Sequence, residues 1–275
     1  MNPLLKPAEL LLRGVNRLRR ALYRAGVLRA RRLPVPVISV GGIAAGGSGK
    51  TPATIAIASA LVARGLRVGV LTRGYRRSGP GGVVETLDAD RYGDEPVLIK
   101  KRVPAARVIV GKSRYYNAIR EIVDIFILDD GFQHLQLARD LDVVVDQPGG
   151  GFLREGRAAL RDAGLILPRR MRPVVPESLR GKRVFAFAGL ADNEQFFRSL
   201  GLPLAGTRSF PDHHRYTRTD IEIIRRAALE AGAEAIVTTE KDAVKIDDPQ
   251  IVAIPAEFVI EPAEMERIVA AAVRR

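Results

Sequence analysis

The chain has no cysteine and no tryptophan, and phenylalanine and tyrosine bring its aromatic share to only 5%. Without cysteine there can be no disulfide framework, thiolate metal site or cysteine nucleophile. The same absence fits a reducing compartment. So few aromatic rings argue against a stacking platform for single-stranded nucleic acid. Histidine is scarce as well: His134, His213 and His214 are the three in the chain, which leaves a zinc site few ligands to draw on. Internal repeats and low-complexity tracts are absent.

What is present is an apolar share of 47% in 275 residues, enough for a substantial core in one large domain or two small ones. Forty-four Lys and Arg against 31 Asp and Glu give a net charge of +13, which points to an anionic partner. The positive charge is densest at the start, where residues 1–32 carry nine basic residues and one acid, Glu9. Leu4, Ala8, Leu11, Val15, Leu18 and Leu22 recur there at helical spacing, with Arg13, Arg17, Arg20 and Arg24 on the other side. The pattern predicts an amphipathic helix at an anionic membrane surface, apolar side among acyl chains and arginines on headgroups. Docking on the body of the protein, basic face in water, is the other reading. Arginine interrupts the segment too often for it to span a bilayer or serve as a secretion signal.

Further along, "VPVISVGG", "RVGVLTRG", "ARVIV", "VDIFILDDG" and "DLDVVVDQ" are short apolar strand candidates alternating with helical stretches. This order predicts an α/β fold, a parallel sheet with helices on both faces, over residues 33–150. A glycine- and proline-rich break at "QPGGGFLREG" precedes "GLILP", "RVFAFAG", "IVTTE" and "VAIP". These predict a second, smaller α/β domain over 151–275, with a hinge around 147–182 and a last helix able to pack back on the first domain.

Gly46-Gly47-Ser48-Gly49-Lys50-Thr51 lies between a strand and a helix, the setting a phosphate-binding loop requires. Its glycines let backbone N–H groups approach phosphate oxygens at a helix N-terminus. Lys50 would reach the β- and γ-phosphates of a nucleotide and Thr51 would ligate Mg²⁺. Ala44 stands where the simple pattern has its first glycine, and Ala45 where regulatory ATPases of this loop type carry a lysine. Asp129 and Asp130 end an apolar strand, a suitable position for carboxylates that hold Mg²⁺. "YGDEP" puts Asp94 and Glu95 at a helix start, where capping is the alternative role. "FPDHHRY" supplies Asp212, His213 and His214 for acid–base or phosphate-orienting work.

Together with "LTRGYRR", "VIVGKSRYYNA", "ILDDGFQHLQLARDLDVVVDQ" and "VTTEKDAVKI", these motifs resemble the tetraacyldisaccharide 4′-kinase (lipid A 4′-kinase) family over roughly residues 36–246. The resemblance implies ATP- and Mg²⁺-dependent phosphorylation of the 4′-hydroxyl of a lipid A disaccharide 1-phosphate. It implies action on the cytoplasmic face of the bacterial inner membrane. A monomer is expected, and no nucleic-acid partner, because the sequence shows no nucleic-acid motif and its charge is concentrated on a helix suited to lipid. By matching motif, Asp94 would act as general base with His213 as its partner or an orienting group. Asp129 and Asp130 would hold Mg²⁺, Arg114 would neutralise phosphate charge, and Glu95, Gln133 and His134 would line the substrate site. The chain departs from the family at Gly42, where asparagine is usual, and after Asp146, where a longer segment is shortened to "QPGGGFLREG". A nucleotide-driven regulatory ATPase without an acceptor is the competing class. It accounts for the loop and for Asp129 and Asp130, but not for Asp94 and His213.

Overall fold

Short runs of β-branched and apolar residues that alternate between two faces can be buried on both sides only within a covered sheet. A computed structural model of the chain, describing residues 6–44, 46, 49–75, 77–147 and 152–273, builds two such sheets. The large sheet contains β1 (Val37–Gly41), β2 (Val68–Thr72), β3 (Gly82–Val83), β4 (Arg107–Val110), β5 (Ile125–Asp129), β6 (Leu141–Asp146) and β7 (Leu165–Pro168). Their order is β3-β4-β2-β5-β1-β6-β7, parallel except for the β3 edge. In β5, Ile125 and Ile127 enter one core cluster while Phe126 and Leu128 enter another, so the period-two alternation serves both faces.

Helices α1 (Lys6–Arg24), α2 (Lys50–Val62), α3 (Ala89–Tyr92), α4 (Asp94–Arg102) and α5 (Arg114–Ala118) belong to this part of the chain. Residues of α2 and α4 pack on one face with Ile38 and Val40, and Ala118 of α5 packs on the other with Val37 and Leu71. The α5 helix is short and ends at Ala118.

A short antiparallel ribbon, β8 (Met171–Pro173) with β13 (Ala256–Phe258), joins the sheets. The small sheet contains β9 (Val184–Ala188), β10 (Leu204–Ser209), β11 (Ala235–Thr239) and β12 (Ile251–Ile254) in the order β10-β9-β11-β12, all parallel. Phe197 of α6 (Asn193–Ser199) packs on one face. Ile224 and Ala228 of α7 (Arg218–Glu230) pack on the other. The helix α8 (Glu240–Ala243) follows β11 directly, and α9 (Pro262–Val273) ends the described chain.

"GLILP", read from sequence as part of the second unit, is β7 and pairs with β6 at the edge of the large sheet. Its Leu165 and Leu167 fill the large core, so the crossing to the small sheet comes after Pro168, inside the 147–182 stretch and later than residue 150. The helix α9 returns to the large core through Ile268 and Ala272.

The α1 helix is turned the opposite way from either sequence reading of its arginines. Arg20 is buried: it donates to Glu155 (2.9 Å), Asp162 (3.2 Å) and the Phe132 carbonyl (3.0 Å), and stacks over the Phe132 ring. Arg24 also binds Asp162, and buried Asn16 donates to the Arg154 carbonyl. The polar face is therefore the docked face, because a guanidinium fork can satisfy buried carboxylates that leucine cannot. Leu11 and Leu18, 71% and 61% exposed, point away from the protein.

Candidate functional site

Parallel α/β sheets gather ligands at the carboxyl ends of their strands, and the adjacent strands β2, β5 and β1 bring Thr72, Asp129 and the phosphate loop together there. Gly41 ends β1 where a Cβ would lie 2.5 Å from Phe132 Cβ and 2.7 Å from its backbone nitrogen, so no side chain fits. Gly46 and Gly49 adopt left-handed φ values of +72° and +81°, which glycine reaches without steric cost. Ala45, Gly47 and Ser48 lie outside the described residues. Lys50 opens α2 with its Nζ 3.3 Å from the Ala44 carbonyl and 3.0 Å from Asp130 Oδ1. Thr51 is half-buried beside it, one turn before Thr54, whose hydroxyl donates to Asp129 at 2.8 Å.

The two carboxylates differ in their surroundings. Asp129 is buried and accepts from the Thr54 and Thr72 hydroxyls. Burial, followed by the nearby charges of Glu95 and Asp130, pushes its pKa up to about 7. Asp130, at a left-handed φ of +50°, faces Lys50 and accepts from Arg154 at 2.7 Å. Burial works to raise its pKa, but Lys50 and Arg154 outweigh it and hold the group down at about 2. A threonine hydroxyl beside two carboxylates is a hard oxygen donor set that suits Mg²⁺. The crowding of negative charge at Asp129 is what a bound cation would relieve. Among the described residues no three His, Asp or Glu side chains converge on one point.

Arg114 opens α5 in a buried position, and its Nε has no hydrogen-bond partner among the described residues. Burial and then the like charge of Arg73 lower its pKa, with Arg77 adding to the effect, so cations converge here. Gln133 donates to the Gly42 carbonyl at 2.9 Å, and its buried Oε1 has no partner among the described residues. Burial, Arg114, Arg139 and Arg19 pull His134 down to about 4, which leaves it neutral at physiological pH. Arg114 and His134 share a cavity of about 340 Å³ with Tyr23, Arg29, Arg31 and Tyr116.

Asp94, the first residue of α4, meets His213 of the second unit: His213 Nδ1 lies 3.0 Å from Asp94 Oδ2. His213 adopts a left-handed φ of +58°, a strained state for a non-glycine residue. Burial favours protonation of Asp94, but the His213 hydrogen bond, Lys245, the His213 charge and Lys241 together hold its pKa below the ordinary carboxylate range. The pair faces a cavity of about 1100 Å³ between the two units. The neighbouring Glu95 acts on Asp129 and so ties this pair to the carboxylates.

The family model for tetraacyldisaccharide-1-P 4′-kinase matches residues 1–173 and 159–274. The chain belongs to the tetraacyldisaccharide 4′-kinase family. It is 40% identical over 314 residues to the tetraacyldisaccharide 4′-kinase of Anaeromyxobacter sp. (strain Fw109-5), covering 90% of this chain and 84% of that one. It is 39% identical over 298 residues to the tetraacyldisaccharide 4′-kinase of Pelobacter propionicus, covering 88% and 82%. Among solved structures it resembles LpxK from Aquifex aeolicus in complex with ATP, with a TM-score of 0.77 and 29% identity over 98% of each chain.

Within this kinase-family fold, several residues that touch the predicted site were not selected from sequence. Arg154 and Glu155 come from the shortened "QPGGGFLREG" segment, which pairs with the phosphate loop through an Ala44–Leu153 bridge. Arg154 holds Asp130, and Glu155 holds Arg20 of α1. Lys241 and Lys245 lie in "TTEKDAVK", a string specific enough to signal the family yet silent about its spatial neighbours.

Proposed function

We infer that this chain transfers the γ-phosphoryl group of ATP to the 4′-hydroxyl of a lipid A disaccharide 1-phosphate, at the cytoplasmic surface of the bacterial inner membrane. The observation that carries the reading is the Asp94–His213 bond, 3.0 Å long, which joins the two units, with the adjacent Glu95 near enough to act on Asp129. A nucleotide-driven regulatory ATPase has no use for such a pair, and an acceptor hydroxyl does.

Lys50 would exchange the Ala44 carbonyl for the β- and γ-phosphates when ATP enters, while the loop's N–H groups hold phosphate oxygens. Thr51, Asp129 and Asp130 would hold Mg²⁺, which when bound neutralises phosphate charge and orients the triphosphate. Asp94, ionised, accepts the proton of the sugar hydroxyl. His213 orients that carboxylate. Arg114, whose buried Nε has no partner among the described residues, neutralises charge on the phosphates, and Gln133, His134 and Glu95 line the sugar's approach. Most of the rate gain then comes from alignment and charge stabilisation.

The exposed apolar side of α1 supports its insertion at the boundary of an anionic membrane, with the polar side kept for the protein. No helix among the described residues is long and apolar enough to cross a membrane. The acyl chains of the substrate would stay in the bilayer while its sugar reaches the cleft.

The deciding experiment supplies labelled ATP, Mg²⁺ and the disaccharide monophosphate in detergent micelles. A bisphosphorylated lipid is the expected product. Folded protein that binds ATP but transfers nothing to the lipid would overturn the reading.

A further inference from the structure

The helix α1 ends in a turn at Gly26, whose φ of +72° costs glycine little, and the Leu28 N–H closes it on the Leu22 carbonyl at 3.2 Å. The connection to β1 is then tied to the segment after β5. The Arg31 N–H donates to the Gln136 carbonyl (2.9 Å), and the Arg31 carbonyl accepts from the Ala138 N–H (2.8 Å). With its backbone held, the Arg31 guanidinium lies over two rings of α5, 5.1 Å from the Tyr115 centroid and 4.6 Å from that of Tyr116. Two stretches distant in sequence thereby share one surface.

That surface is apolar and basic at once. Val27, Leu28, Tyr116 and Ile119 are exposed, from 39% at Leu28 to 68% at Val27. Residues 25–32 and 112–120 contain Arg29, Arg31, Arg32, Lys112, Arg114 and Arg120, and no acidic residue. Arg114 is buried in the site, and Arg32 pairs with Asp140. Arg29, Lys112 and Arg120 are exposed and have no ion pair among the described residues. Apolar side chains exposed singly need no explanation, but four gathered among unpaired cations mark a contact surface. A protein partner would have to set a carboxylate against each cation at fixed geometry. A layer of anionic headgroups supplies mobile charge wherever the cations lie, and its acyl boundary takes the tyrosine ring and the aliphatic side chains.

The surface also lies beside the site. The cavity that Arg114 and His134 share is lined by Tyr23 of α1, by Arg29 and Arg31 of the connection, and by Tyr115 and Tyr116 of α5. Its walls join α1 to α5, so the new surface is continuous with the helix already assigned to lipid. One amphipathic helix sets the depth of a protein at a bilayer. A second contact away from that helix also sets the tilt of the body, and with it where the cavity meets the lipid. A sugar could then enter while its acyl chains stay buried, which spares the loss of affinity that every exposed methylene would bring.

We propose that Val27, Leu28, Tyr116 and Ile119, with Arg29, Lys112 and Arg120, form a second contact with the anionic membrane surface, beside the cavity of Arg114 and His134; this rests on the reading of α1 as a helix that inserts at that surface.

The chain has no tryptophan, so a single introduced indole reports on its own position. The full-length variants Ile119→Trp, Leu18→Trp and Leu229→Trp are each mixed with phosphatidylglycerol vesicles that carry brominated acyl chains. Emission should shift to the blue and be quenched for Ile119→Trp on the new surface and Leu18→Trp on α1. It should stay unchanged for Leu229→Trp, at an exposed position of α7 in the small unit. Val27→Asp/Ile119→Asp, with α1 intact, should weaken partitioning onto these vesicles more than tenfold. Lys112→Gln/Arg120→Gln should weaken it about fivefold per residue removed, and should leave partitioning onto neutral phosphatidylcholine vesicles unchanged. All of these side chains are exposed, so urea midpoints should stay at the wild-type value. Quenching of Leu18→Trp without quenching of Ile119→Trp would leave α1 as the whole contact and overturn the proposal. A blue shift of Ile119→Trp that follows protein concentration in the absence of vesicles would identify a second copy of the chain as the occupant, and would overturn it as well. The full set of vesicle responses in a protein that makes no bisphosphorylated lipid would support this contact and count against the kinase reading alone.

Discussion

Arg20 of α1 and Glu155 of the segment after the large sheet's sixth strand form a buried ion pair, with Arg20 Nη2 2.9 Å from Glu155 Oε1 and both side chains at most 6% exposed. Glu155 follows Arg154, which holds Asp130, so the contact joins a surface helix to the phosphate-binding centre. Removing one partner leaves the other charged and buried. Arg20→Ala should therefore destabilise the fold by about 3–5 kcal/mol. The double variant Arg20→Met/Glu155→Met should recover much of the loss. Urea denaturation of the three proteins checks this; equal instability of the single and double variants would refute the pairing argument.

Asp94→Asn keeps the shape of the side chain and removes its basicity. Turnover should fall by about 10²–10⁴-fold, with ATP affinity within about twofold. His213→Ala should likewise lower kcat far more than ATP binding. Parallel loss of ATP binding, measured by calorimetry, would place the pair in the nucleotide pocket instead.

On α1, Leu11→Asp/Leu18→Asp alters side chains already in solvent, so stability should stay within about 0.5 kcal/mol of wild type per substitution. Each leucine buried in lipid contributes about 1.5–3 kcal/mol, so partitioning onto anionic vesicles should weaken more than tenfold. Unchanged sedimentation with vesicles would exclude this face as the membrane contact.

His134 supplies a pH signature. Its folded pKa of about 4 lies below the ordinary value of 6.5, so the unfolded chain binds more protons between those limits. Its contribution is complete above pH 6.5 and declines as pH falls toward 4. His134→Gln should flatten the stability profile in that window, read from urea midpoints at pH 7 and 4.5. Asp130 acts lower: its depressed pKa of about 2 gives a contribution present above the unfolded carboxylate value and lost as pH falls toward 2. Arg154→Gln should shift acid unfolding to higher pH.

Local chemistry made much of this legible in the chain itself. Alternating apolar strands dictate a covered parallel sheet because they bury both faces. Gly46, Gly49 and Lys50 mark the phosphate loop because φ freedom and a terminal ammonium act over a few residues. The identities of Asp94, Asp129, Asp130 and His213 were visible in motifs for the same reason. The direction of α1 was not, because an arginine face reads alike whether its anions are lipid headgroups or Glu155 and Asp162, more than a hundred residues away. The placement of "GLILP" in the large sheet depended on an edge left open by β6. Lys241 and Lys245 met the Asp94–His213 pair only when folding carried the turn at α8 to Asp94, about 150 residues earlier in sequence. Residue type and period thus determined the elements and the candidate reacting groups. Tertiary structure alone decided which charges meet, because ion pairing depends on distance in space and burial, and neither is encoded by spacing along the chain.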